Sequence, residues 1–172
     1  EGLHFADRMQ ATLMKIREKS SNIEFSNLEP EDVNILLSAI EQSCDYWRAE
    51  DENSLEILAI EQPFAYILYE DEHVRIIISG KIDLLVNFKG IGNNASYTNL
   101  PIDHKTFSRE SMTLRKSNQF INYANAAGSN YLVVNKIGLQ KTLKPEEKFK
   151  RLPLSYDPLY IQEWKDNLTK LI

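Results

Sequence analysis

A single cysteine, Cys44, stands among the 172 residues, so no internal disulfide can form and the chain suits a reducing compartment, the cytoplasm. Long apolar runs are lacking as well. The longest, Ile76 to Val86, is broken by Ser79, Lys81 and Asp83 and falls short of the roughly 18 to 20 residues that span a bilayer, so no membrane segment is expected. No secretory signal is read at the start, and no internal repeat or low-complexity segment appears. Positive charge is in deficit. With 20 Lys and Arg against 25 Asp and Glu, the net charge of -5 gives no whole-molecule attraction to nucleic acid, and any such contact must use a local basic surface or a bound cation.

The composition, 42% hydrophobic and 26% charged, is that of one globular domain over residues 1–172. Its parts are N-terminal helices over 1–52, a sheet core over 55–136, and a basic segment with a closing helix over 137–172. The core turns on two apolar stretches, Gly80 to Val86 and Pro101 to Thr106, both of which read as strands. Alternation puts Asp103 and Lys105 on one face of the second strand and Ile102, His104 and Thr106 on the other. In the first, Ile76, Ile78, Gly80, Ile82, Leu84 and Val86 share a face opposite Arg75, Ser79, Lys81 and Asp83. A carboxylate costs several kcal/mol (about 3–5) to bury without a partner, so Asp83 and Asp103 on such strands need a cation, a partner or water. If the strands are neighbours, both acids converge on one divalent ion, with hard oxygen ligands favouring magnesium or manganese.

Glu61, the Gly-x-x-Asp of Gly80 to Asp83, the Asp-x-Lys of Asp103 to Lys105, and Gln119-Phe120-Ile121-Asn122-Tyr123 follow one another in the order found in RecB-like and phage-type exonucleases. From about Leu58 to Asn135 the chain thus resembles the PD-(D/E)XK nuclease superfamily. The resemblance implies an α/β fold with a restriction-endonuclease-like core, a central mixed β-sheet flanked by α-helices. It implies a metal-dependent DNA nuclease, with exonuclease action of the recombination or phage type. It also implies that Asp83, Asp103, the backbone carbonyl of His104 and Glu61 hold Mg2+ or Mn2+. Lys105 would orient or help deprotonate the attacking water, and Gln119 and Tyr123 would hold the DNA. A helicase or recombination protein is an expected partner, and the oligomeric state is left open. The family's metal-ligating histidine on the first helix is not matched: counting its spacing from Gly2 reaches Ala6, and His4 is not assigned to the role. Alternatively, Glu1-Gly2-Leu3 directly follows that position. An inactive relative that binds DNA or a protein partner is the competing reading.

The remaining elements follow from spacing and punctuation. Ala6, Met9, Leu13 and Ile16 mark a helix to about Lys19, and Pro30 opens another with a stripe of Val33, Leu36, Leu37, Ile40, Cys44 and Trp47 to about Asp51. Glu70 to His73 reads as the turn of a hairpin which, folded about Asp71, places Glu61 opposite Lys81 and one diagonal step from Asp83. Gly90 to Asn94 lies in a connection, and the segment from Phe107 to Lys116, which includes Arg109, leads into a helix capped by Gly128. Tyr131 to Asn135 reads as a buried strand, and Asp157-Pro158 starts the last helix. Lys141, Lys144, Lys148, Lys150 and Arg151 make a basic stretch that is either a solvated surface or a phosphate track.

Overall fold

Proline lacks the amide hydrogen that a helix leaves unpaired at its start, and Pro30 opens helix α1 (Pro30–Ser54) with Glu31 and Asp32 favourably placed in the first turn. The computed structural model describes residues 30–89, 96–107 and 114–171, together with Met14. Apart from Met14, the expected helix around Ala6 to Ile16 lies outside these, as do His4, the Gly90–Asn94 connection and Arg109. The buried line of α1 runs through Leu37, Ala39, Ser43 and Trp47, so two small side chains lie between two large ones where the helix meets the sheet.

Strands β1 (Leu55–Glu70) and β2 (Arg75–Lys89) form the expected antiparallel hairpin, but in a different register. Lys81 pairs with Pro63 rather than with Glu61, and Glu61 falls level with Asp83, between the pairs Ile60–Leu84 and Gln62–Ile82. The cause is the turn. Asp71 accepts hydrogen bonds from the amides of His73 and Val74, both at 2.8 Å, while its own amide donates to the Val74 carbonyl at 2.9 Å. The loop therefore closes over Asp71 to Val74 instead of pivoting on Asp71, and the register shift at Ile67/Tyr69 takes back only part of that offset before Glu61 is reached.

The chain continues through β3 (Ser96–Phe107), a single 3-10 turn (Leu114–Lys116), α2 (Asn118–Ala127), β4 (Tyr131–Gly138), the short α3 (Pro145–Lys148), β5 (Phe149–Ser155) and α4 (Pro158–Thr169). The five strands form one mixed sheet in the order β1-β2-β3-β4-β5, antiparallel except for β3 with β4, whose crossover is α2. This is the α/β arrangement expected of a restriction-endonuclease-like core. Gly128 takes the left-handed conformation (φ 63°) that ends α2, and Asp157 caps α4 by accepting from the Leu159 amide at 2.8 Å.

One face of the sheet packs Leu132 and Val134 against Phe120, Ile121 and Ala124 of α2 and Ile161 of α4. The other packs Ile137 and Phe149 against Ala39 and Trp47 of α1. Strand β5 is an addition to the expected set: Lys150, Arg151 and Pro153 mask its apolar residues, and proline is tolerated because β5 is an edge. Among the described residues, no helix is long and apolar enough to cross a membrane.

Candidate functional site

The β2–β3 ladder ends at the pair Leu84–Ile102; past it β2 stays with β1, whereas β3 continues against β4. Asp83 and Asp103 are the next residues on each strand, so the two carboxylates stand level where backbone pairing stops. There the Asp83 carboxylate accepts a hydrogen bond from the His104 amide (3.4 Å), taking the place of the next rung. In an extended strand the carbonyl of a residue points to the same edge as its amide. The His104 carbonyl is therefore on the Asp83 side as well.

Asp103 has no solvent contact, an unusual state for an aspartate. Its Oδ1 accepts from Lys105 Nζ at 3.2 Å. Oδ2 lies 3.1 Å from the same ammonium yet is buried without a hydrogen bond. Burial raises the Asp103 pKa above the ordinary aspartate value, Lys105 counteracts this, and the charge and side-chain contact of Asp83 raise it further. A buried carboxylate oxygen that has an ammonium neighbour but no hydrogen bond, beside a second carboxylate and a backbone carbonyl, belongs to an oxygen set that suits a hard cation. Lys105, 32% exposed, lies on the same face as Asp103, and its ammonium is held over the Phe120 ring, 5.7 Å from the centroid.

The structure thus brings together Asp83, Asp103, Lys105 and the His104 backbone. It does not bring Glu61 to them. Glu61 adopts a left-handed backbone (φ 50°), and its carboxylate accepts from Lys81 Nζ at 3.0 Å in a solvent-exposed ion pair. Among the described residues, no group of three or more His, Cys, Asp or Glu side chains could hold a metal ion, so the acidic side chains at the site number two.

The His104 side chain points to the α1 face, as alternation requires, and so away from Lys105. Arg151 Nε donates to Asn135 Oδ1 (3.3 Å), which turns the Asn135 amide nitrogen towards His104 Nδ1 at 3.5 Å. Arg151 is in turn paired with Glu50 (3.1 Å) and Asp51 of α1 and stacks over Trp47 at 4.9 Å. The ring of His104 keeps an exposed edge but has much protein around it. That partial desolvation lowers its pKa against the opposing charge of Asp83, with Arg151 and Lys105 adding to the lowering.

Gln119 and Tyr123 do share a face of α2, with Gln119 Nε2 donating to the Tyr123 hydroxyl at 3.0 Å. Tyr123 is buried against Phe64, so this pair is joined to the core of the hairpin, and it is the intervening Phe120 that reaches Lys105. The sequence assigns no role to Phe120 or Asn135 and places Arg151 only in the basic stretch, whereas the structure turns it to Glu50, Asp51 and Asn135. Only the strand assignment of 149–155 could have paired Arg151 with Asn135.

No family model matches the chain, and neither does any curated protein. Among solved structures, one described as "Crystal structure of SSO0001" is similar over 93% of this chain and 70% of that one, with 11% identity and a TM-score of 0.46.

Proposed function

We propose that the chain is a Mg2+- or Mn2+-dependent deoxyribonuclease of the RecB-like PD-(D/E)XK type, working in the cytoplasm on DNA ends, with a helicase or recombination protein as partner. The observation that carries this reading is the buried Asp103, whose Oδ2 has no hydrogen bond although Asp83 and Lys105 flank it.

Asp83, Asp103 and the His104 carbonyl are the groups that would hold the ion. When bound, it supplies Lewis-acid charge for the phosphate oxygens and acidifies water. Lys105 Nζ, tethered by Asp103 and by Phe120, is positioned to orient the attacking water, to take part in its deprotonation and to stabilise the charge developing on the phosphate. Tying the ammonium at both its carboxylate and its aromatic side limits its rotamers, so the ordering cost is met before substrate arrives. Gln119, exposed near the start of α2, is assigned to holding the DNA backbone, with the buried Tyr123 orienting it through their hydrogen bond. His104 is not the base, because its imidazole is on the opposite face.

Linear DNA incubated with magnesium, with chelator, and with the Lys105→Ala variant tests the proposal. Loss of DNA in the first case alone supports it. Equal loss in all three rejects it. The Glu61–Lys81 pair favours a second reading, an inactive relative that binds DNA or a protein through the same surface, since it leaves two acidic ligands where the resemblance implies three. That reading requires DNA retention without magnesium-dependent cleavage.

A further inference from the structure

Lys105 pairs in register with Lys136 of β4, and Lys136 pairs in register with Lys150 of β5. Residues paired in a ladder project from the same face, so three lysines form one row across three adjacent strands. At about 4.8 Å per strand the row spans roughly 10 Å. Its face is that of Asp103, because Lys105 bonds Asp103 and Lys136 Nζ lies over Phe107, 5.2 Å from the ring centroid. Near the row are the ends of the parallel strands β3 and β4, where open α/β sheets bind their ligands.

Strands β3, β4 and β5 contain one acidic residue, Asp103, which belongs to the lysine face. On the other face, Arg151 is matched by Glu50 and Asp51, Lys141 by Glu31 at 3.6 Å, and Lys148 Nζ donates to Gln42 Oε1 at 2.8 Å. The basic stretch of the sequence is therefore split. Most of it serves packing against α1, and Lys150 alone among these residues joins the row.

We infer that Lys105, Lys136 and Lys150 form a phosphate track, along which a single strand of DNA runs from the ion-binding carboxylates to the β5 edge. This rests on the nuclease reading for the identity of the polyanion. The chemistry of the track is that of point charges meeting phosphodiesters without base contacts, so it fixes the path of the strand and leaves its sequence unread.

The test measures binding of fluorescently labelled single-stranded oligodeoxythymidine in chelator, between about 50 and about 200 mM salt, so that no cleavage intervenes. Removing two phosphate contacts in Lys136→Ala/Lys150→Ala should reduce the slope of log affinity against log salt by about 1.4. The affinity lost across that salt range then shrinks by about sevenfold relative to the unaltered chain. Lys136→Arg/Lys150→Arg should restore the slope, and Lys141→Ala should leave it as it was. A slope indifferent to both alanines, or lost but not restored by arginine, overturns the track. Magnesium-dependent cleavage with a slope indifferent to the row keeps the nuclease reading and sinks the track. A slope set by the row in a chain that never cleaves DNA does the reverse.

Discussion

The ring of Phe64 lies across Gly80, with its Cζ 2.8 Å and Cε1 3.1 Å from where a β-carbon on Gly80 would stand. The ring cannot swing away freely, since it meets Tyr123 edge-on at 6.1 Å and stacks near Tyr66 at 6.4 Å. The glycine that opens the Gly-x-x-Asp segment therefore answers to packing between the hairpin and α2, three residues before Asp83. Gly80→Ala should destabilise the fold by about 1–3 kcal/mol through overpacking. In a Phe64→Ala background the same change should cost much less, and a thermodynamic cycle from urea denaturation reads the difference. Equal costs in both backgrounds would show that the ring is not the obstacle.

Lys105 is the only cation acting on buried Asp103 among the described residues. Replacing it by methionine keeps the stem over Phe120 but leaves the carboxylate without its counter-charge. Lys105→Met should cost about 2–3 kcal/mol in chelator, and adding Asp103→Asn should recover most of that, since a buried pair is harmed more by losing one member than both. Both variants should lose magnesium-dependent cleavage. If the double variant is as unstable as the single, the pair does not carry the coupling assigned to it.

Arg151 fastens α1 to the sheet through Glu50, Asp51, the Trp47 ring and Asn135. Both members of the Arg151–Asp51 pair are largely buried, and that burial raises the Asp51 pKa above its ordinary value with Arg151 opposing the rise. Arg151→Ala should cost about 3 kcal/mol and red-shift the fluorescence of buried Trp47. Arg151→Lys should recover less than half, because an ammonium cannot reach two carboxylates and an amide from one planar fork. Full recovery by lysine would contradict the assigned geometry.

Much of this architecture is legible in the chain because alternation is strict where it matters. Asp103 and Lys105 had to share a face, and the structure joins them at 3.2 Å. Pro30, Gly128 and Asp157 punctuate helices as their backbone chemistry requires. Register was less legible, because it depends on which amides the Asp71 side chain captures, a choice made by three-dimensional turn geometry. The left-handed backbone of Glu61 was likewise hidden, since nothing in the residue type announces it. Strand β5 went unread because Lys150 and Arg151 face opposite sides for unrelated reasons, one in the lysine row and the other against α1.

Asp71 makes the hairpin turn dependent on acid. Its carboxylate is stabilised first by the Tyr69 hydroxyl, at 2.7 Å, and then by the His73 and Val74 amides, and together these lower its pKa below the ordinary 3.8. A carboxyl depressed on folding contributes stability that is fully present above its unfolded value and disappears as the pH falls through the folded one. The advantage of the unaltered chain over Asp71→Ala should therefore be constant near neutrality, begin to narrow as the pH falls below about 5, and close only as the pH passes below 3.8 through the lowered folded value. Melting temperatures of both proteins across that range measure it, with amide exchange at His73 and Val74 reporting the turn itself. A gap that persists at the acid end would mean that the side chain acts through shape, and that the register of β1 against β2, with Glu61 level with Asp83, is set by some other feature of the hairpin.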